Sequence, residues 1–177
     1  MRDSGFLPLL GLCLAALLGA CNNLSSTPMA AATVDYNRNY DFSHVHKIAI
    51  QPIVRDTVET MMVSDVQISS LNEALTAELE QRGFQVATGN SYADMFLAWR
   101  FVPEESATVS TFDPAAQNMT EGTINVDMID PVILQTVWRA TFRARLHGQP
   151  DSEAAAEYSR QAVAAILAEF PPDPVER

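Results

Sequence analysis

Four groups of side chains in this 177-residue sequence are of types that do chemistry: Cys21, the pair His44 and His46, the pair Asp127 and Asp130, and the row Arg139, Arg143 and Arg145. Two histidines two residues apart on a strand would share a face and could hold a metal. No carboxylate or third histidine stands at ligand spacing, and His147 is remote in sequence. Two solvated rings on either side of Val45 is the plainer reading, and no metal site is assigned. Asp127 and Asp130 could divide acid and base roles. On the outer face and the turn of a hairpin, however, aspartate is ordinary, so neither is assigned as catalytic. Arg139, Arg143 and Arg145 fall on one side of an alternating strand and could grip carboxylate or phosphate groups bidentately. They form the candidate face for an anionic partner. The plainer reading pairs them with acids of the neighbouring strand, Asp127 among them. No Gly-x-Ser-x-Gly, Gly-rich phosphate loop or His-Glu-x-x-His occurs in the sequence, so neither an enzyme nor a cofactor is expected. An enzyme using His44 or His46 would need positioned partners that the spacing does not supply.

Cys21 is the remaining candidate, and its surroundings decide its chemistry. An apolar run over residues 6–18 precedes Leu18-Gly19-Ala20-Cys21, and Arg2 is the one positive charge ahead of it. The run is too short for ~30 Å of hydrocarbon but suits the core of a secretion signal. Gly19 and Ala20 are small, as a signal peptidase requires on the substrate side of its cut. The pattern resembles the lipobox of bacterial lipoprotein signal peptides. That resemblance implies diacylation of the Cys21 thiol, cleavage before it, and acylation (palmitate-like) of the new N-terminus. Each buried CH2 adds ~0.8 kcal/mol, and two or more chains make the anchor stable. The alternative is an ordinary buried cysteine in a short apolar helix. Asn22, rather than aspartate, follows the cysteine, which points to the outer membrane, on its periplasmic face.

The net charge is −11. An acidic body argues against nucleic acid, which needs basic surface, and against lying flat on anionic lipid. Membrane contact is therefore expected through the N-terminal lipid alone. Cys13 would leave with the signal and Cys21 would carry lipid, so no thiol remains for a disulfide. The fold must be held by packing.

The elements follow from periodicity. Residues 1–20 read as the signal, 21–33 as a flexible tether, 34–172 as a single globular domain, and 173–177 as a tail. Residues 34–42 read as an extended lead-in or edge strand. Residues 47–53 form a firm strand broken by Pro52, and 54–63 a loop. Ser64-Asp65-Val66-Gln67 is a capping box opening a helix whose stripe is Ile68, Leu71, Leu75 and Leu79, with Gly83 as its stop. A brief strand covers 84–87. Residues 93–102 carry apolar groups on both sides and read as a central strand. Residues 103–121 read as a long excursion with a short strand at 108–112.

Residues 123–129 then alternate, with Ile124, Val126 and Met128 inward and Asn125 and Asp127 outward. Asp130-Pro131 turns the chain into 134–146, where Leu134, Thr136, Trp138, Ala140, Phe142, Ala144 and Leu146 share a face. The pair reads as an antiparallel hairpin. Residues 148–151 end the sheet. Asp151 or Ser152 caps a last helix with the stripe Ala155, Tyr158, Ala162, Val163, Ile166 and Phe170, stopped by Pro171-Pro172. The expected fold is α+β. It has a single mixed, mainly antiparallel sheet of four to five strands with two helices packed on one face.

Several pieces together carry a family resemblance: Asp35-Tyr36 and Tyr40-Asp41-Phe42, Glu80-Gln81-Arg82-Gly83-Phe84, Ala93-Asp94, Gly122-Thr123 with Val126-Asp127 and Ile129-Asp130, Val137-Trp138-Arg139, and Ile166-Leu167-Ala168-Glu169-Phe170-Pro171-Pro172. In these the chain resembles bacterial lipoproteins of the domain-of-unknown-function 4136 family over residues 34–172. Ala115-Ala116-Gln117-Asn118 stands where such proteins carry a Gly-rich stretch, and Pro131-Val132-Ile133 where they place a Thr-Gly turn. The resemblance implies no activity and no site residues. The order of elements is also similar to the amino-terminal domain of TolB and the periplasmic core of curli secretion lipoproteins, which are assembly modules of the envelope. That is analogy of fold alone. The expectation is a lipid-anchored, periplasm-facing, non-catalytic interaction or assembly module with an envelope protein as partner. The alternative is a carrier of a small apolar or lipid ligand between sheet and helices, with Trp99, Phe101, Trp138 and Phe142 lining its cavity.

Overall fold

A computed structural model describes residues 30–53, 63–88, 92–104, 119–147 and 152–172. Cys21, the signal, most of the tether, the loop at 54–62, the short strand expected at 108–112, residues 148–151 and the tail lie outside the described residues. Six strands form one sheet in the order β1-β6-β5-β4-β2-β3. They are β1 (Thr33–Tyr36), β2 (Lys47–Ile50), β3 (Gln85–Thr88), β4 (Met95–Pro103), β5 (Met119–Asp130) and β6 (Gln135–His147). The helices are α1 (Asp65–Gln81) and α2 (Glu153–Ile166). The sheet has six strands rather than four to five because the four-residue β1 and β3 both pair along their whole length. β2 runs parallel to both β3 and β4, and every other pairing is antiparallel.

Local chemistry explains the helix boundaries. The Ser64 hydroxyl accepts the Gln67 amide at 3.2 Å, and the Gln67 side chain accepts the Ser64 amide at 2.8 Å. This capping box satisfies two amides that the first turn leaves without helical partners. At the other end Gly83 adopts φ +91°, a region closed to most L residues. Its amide bonds to Glu80 O at 2.9 Å and the Phe84 amide to Leu79 O at 3.1 Å, the Schellman arrangement. α2 starts at Ser152, whose hydroxyl accepts the Ala155 amide at 3.2 Å, so Ser152 rather than Asp151 is the cap. Replacing Ser64 with Ala should lower stability by about 1 kcal/mol. Urea denaturation reads this directly, and an unshifted midpoint would mean the box contributes nothing.

One apolar face of the sheet meets both helices. Met95, Leu97, Trp99 and Phe101 of β4, Ile124, Val126 and Met128 of β5, and Trp138, Ala140, Phe142 and Ala144 of β6 are all buried. They share a single core with Leu71, Leu75 and Leu79 of α1 and Ala162, Val163 and Ile166 of α2. Phe170 seals one end: its ring lies edge-on to Trp138 at 5.2 Å and Phe42 at 6.1 Å, and tilted on Phe84 at 5.6 Å.

Among the described residues, no helix covers the opposite sheet face. β4 is central, as expected, because β2 and β5 flank it. Its second set of side chains is nevertheless only half-buried at Phe96 and Ala98, and exposed at Val102. β5 begins at Met119, earlier than the alternation suggested, because Gly122 interrupts the apolar pattern without interrupting the pairing. Leu134, in the turn before β6, and Thr136 of β6 point to solvent, contrary to the simple alternation. A bulge opposite Met128 and Ile129 makes Val137 the extra residue, so the phase shifts and Val137 itself is buried.

Candidate functional site

The arginine row lies on the uncovered face. β5 pairs with β6 in a register that sets Asp127 opposite Arg139, Thr123 opposite Arg143 and Glu121 opposite Arg145. Asp127 points outward by alternation yet is only 7% exposed. Arg139 Nε donates to its Oδ1 at 2.5 Å, and Arg100 Nη1 of β4 stands 3.7 Å from Oδ2. Two guanidiniums thus roof one carboxylate. The hydrogen bond and charge of Asp127 hold the Arg139 guanidinium above its ordinary pKa. Arg143 reaches Glu104 at 2.8 Å, and Arg145 reaches Glu121 at 2.9 Å. These two pairs are solvent-exposed, and such pairs contribute 0–1 kcal/mol each, roughly. The structure brings all three arginines onto one face and gives each a carboxylate of its own chain.

The histidines do not share a strand. His44 ends a one-turn 3-10 helix, Phe42–His44, and His46 sits just before β2, with buried Val45 between them. The break comes from Asp41, whose carboxylate caps the turn through the Ser43 amide at 2.9 Å. His44 Nε2 lies 3.3 Å from the Tyr40 hydroxyl. Among the described residues, no group of three His, Cys, Asp or Glu side chains is placed to hold a metal.

Two carboxylates near these rings are structural caps. Asp94 Oδ2 accepts the amides of His46 and Lys47 at 3.0 and 2.9 Å, tying the start of β2 to β4. Those bonds hold its carboxyl below the ordinary 3.8. Asp130 is raised by burial, but amide bonds from Ile133 and Val132 and the Tyr40 hydroxyl outweigh that and leave it lowered. Burial and the bond to Asp130 push Tyr40 up to about 12.

Both aspartates have folded-state pKa values below their unfolded ones. Their stabilisation is therefore complete above the unfolded pKa near 4 and is lost as pH falls through the folded values. Denaturation midpoints should be level between pH 6 and 5 and fall below pH 4. Asp94→Asn should flatten part of that acid limb; an identical limb in the variant would contradict this role.

A cleft lies between the helices and the sheet, where the carrier alternative places a cavity. It is small, about 30 Å³, and is lined by Val63 and Leu71, by Trp99, Phe101 and Ile124, and by Ala155 among others. Its polar groups are mutually engaged. Trp99 Nε1 donates to Asn72 Oδ1 at 2.8 Å, Ser70 Oγ meets Ser159 Oγ at 3.1 Å, and the Tyr158 hydroxyl accepts the Arg145 amide at 2.8 Å. Of the four aromatics expected around a cavity, Trp99 and Phe101 line the cleft. Trp138 and Phe142 are 0% and 1% exposed and belong to the filled core.

A family model described as Domain of unknown function (DUF4136) matches residues 32–172. The fold is similar to the PelC dodecamer from Paraburkholderia phytofirmans, at 16% identity and a TM-score of 0.50, over 77% of this chain and 95% of that one. It is also similar to a PDZ domain protein from Parabacteroides distasonis, at 15% identity and a TM-score of 0.52, over 83% of this chain. The match spans 36% of the length of that PDZ protein. A DUF4136 family protein from Bacteroides thetaiotaomicron aligns at 10% identity and a TM-score of 0.40, over 78% of this chain and 92% of that one. No curated protein matches the sequence. The match to the family model spans the domain from its edge strand to Pro172, and the chain belongs to the DUF4136 family.

Proposed function

We propose that this chain is a lipid-anchored module of the bacterial envelope. It faces the periplasm from the outer membrane and binds or helps assemble envelope proteins, without catalysing a reaction. The observation that carries this reading is the sheet itself. One face packs against both helices, and among the described residues the other carries a row of ion pairs and no helix. That is a surface for contact rather than a pocket for chemistry. Leu18-Gly19-Ala20-Cys21 supplies the anchor, and the family match begins at residue 32, just past a stretch with tether composition. PelC, which shares the fold, is a dodecamer, and assembly is the property we carry over.

An anionic partner meeting the open face would exchange its own carboxylates for Glu104 and Glu121 at Arg143 and Arg145. The half-covered pair of Arg139 with Asp127 would stay. Crosslinking the full-length chain in intact cells should capture envelope proteins, or further copies of the chain, in a fixed pattern. Replacing Arg139, Arg143 and Arg145 together with Gln should weaken capture at this face. Unchanged capture would remove the face from the account, and no capture at all would remove the assembly reading.

The cleft supports a second reading, carriage of a small apolar ligand against Trp99 and Phe101. Native mass spectrometry of the purified full chain should then show a bound small molecule. A bare chain would contradict it.

A further inference from the structure

Among the described residues, the sheet face opposite the helices carries Arg100 of β4 besides Arg139, Arg143 and Arg145 of β6, and the four are not equally engaged. Arg139, Arg143 and Arg145 reach carboxylates of the chain at 2.5, 2.8 and 2.9 Å. Arg100 has one ionic contact among the described residues, 3.7 Å from Asp127 Oδ2, which is beyond hydrogen-bond reach. That carboxylate already accepts Arg139. The Arg100 side chain is 54% exposed.

The strand register sets two further donors beside it. Asn125 lies directly opposite Arg100 across β4 and β5. Its Oδ1 accepts the Thr141 hydroxyl at 2.9 Å, leaving the Nδ2 protons for another acceptor. Ala98, two residues before Arg100, adds only a methyl group to this face. On the β2 side, the Gln51 amide donates to Leu97 O at 2.8 Å and so continues the parallel ladder. Alternation then puts the Gln51 side chain on the face opposite that of Ile50, beside Ala98. Gln51 Nε2 is buried with no hydrogen-bond partner among the described residues, and a buried donor left unmade is costly.

We propose that Arg100, with Asn125 on its β5 side and Gln51 on its β2 side, forms a subsite for one carboxylate, supplied by an aspartate or glutamate side chain of the envelope protein that this module meets. The inference rests on the anionic-partner reading above and deepens it by moving the first contact to Arg100. Arg143 and Arg145 must release Glu104 and Glu121 before they can take a partner's acid. Arg100 gives up only a long contact. The charge balance sets the ligand. Arg100 and Arg139 share Asp127, which leaves one positive charge in excess at this end of the face. The next acid in the row, Asp35, lies on the far side of Arg139, opposite it on β1. A single carboxylate balances that excess, and its plane matches the guanidinium fork. A dianionic phosphate would exceed it and stand against Asp127.

The test titrates the full chain in detergent micelles, isotope-labelled at the side-chain nitrogens of arginine, asparagine and glutamine. The probes are N-acetyl-glutamate methylamide, its glutamine counterpart and inorganic phosphate. The signals of Arg100 Nε, Asn125 Nδ2 and Gln51 Nε2 should move together and saturate with the glutamate probe, and respond about tenfold more weakly to the glutamine one. Arg100→Gln should remove the response. Asn125→Asp should do the same, because it sets a carboxylate of the chain beside Arg100. Arg160→Gln, on α2, should leave it unchanged, and urea midpoints check that each variant is folded. Crosslinking in cells then reads the partner: Arg100→Gln should cut capture of an envelope protein several-fold. The subsite is overturned if these three groups show no saturable shift, if the shifts centre on Arg143 and Arg145, or if phosphate binds more tightly than the glutamate probe. Capture unchanged in Arg100→Gln would overturn the inference and leave the assembly reading standing. Saturable glutamate binding with nothing captured by the parent chain would overturn the assembly reading and the partner named here, while supporting the carboxylate chemistry of the subsite.

Discussion

A Gly122→Ala chain is expected to be less stable than the parent by about 1–3 kcal/mol, and Gly122→Val by more. The sign is the informative part. In a strand, alanine normally gains over glycine by restricting the unfolded chain, by roughly 0.5–1 kcal/mol. Here a Cβ at residue 122 would run into the end of the Phe101 ring and would stand 2.5 Å from the Val102 carbonyl oxygen. The ring is 2% exposed and packed in the core, and the carbonyl belongs to the backbone of the paired strand. Neither can yield without opening the β4–β5 ladder, because interiors are packed nearly as tightly as crystals. Urea midpoints of the two variants check this. A Gly122→Ala chain as stable as the parent would show that the strands can separate at that point without loss.

Replacing Cys21 with Ser should abolish incorporation of labelled palmitate and leave residues 1–20 on the chain. The serine hydroxyl is a poorer nucleophile than a thiolate and does not fit the modification the lipobox directs. The energetic consequence is large, since each acyl chain of ordinary length contributes on the order of 10 kcal/mol at ~0.8 kcal/mol per buried CH2. Labelling followed by electrophoresis checks both parts at once. Label retained at the parent level, or a leader still removed at the parent rate, would count against the anchor.

The parts of the fold written in local chemistry were legible. Ser64 and Gln67, three residues apart, announce the start of α1. Gly83 ends it because only glycine tolerates φ +91° there at little cost. The hairpin was legible wherever strict alternation holds, from Ile124 to Met128 and from Trp138 to Ala144. It failed where pairing and side-chain phase come apart, at Gly122 and at the bulge that turns Thr136 outward and Val137 inward.

The site was harder to read. Alternation puts Asp127 outside correctly, but its burial depends on Arg100 arriving from β4 and Arg139 from β6 to cover it. His44 and His46 were separated by the Asp41 cap, a two-residue interaction easily overlooked beside a β-branched run. Trp99 and Trp138 are equivalent in sequence pattern, each an inward aromatic on a strong strand. The first lines the open cleft and the second is enclosed by Phe170, a difference that only the placement of the helices decides. The exposed tip was visible as Pro131-Val132-Ile133 replacing a Thr-Gly turn, and its backbone is held locally by Asp130, whose carboxylate accepts the amides of Val132 and Ile133; the Tyr40 hydroxyl on the same carboxylate comes from far back in the chain and was not legible.

The anchoring of this domain outside the cytoplasm is tested most directly by the intact mass of the full protein extracted from its own membranes. The account predicts a chain that begins at Cys21, heavier than residues 21–177 by the mass of its acyl groups, with the excess localised to the first residue on fragmentation. A species that retains residues 1–20 and carries an unmodified Cys21 thiol would contradict it.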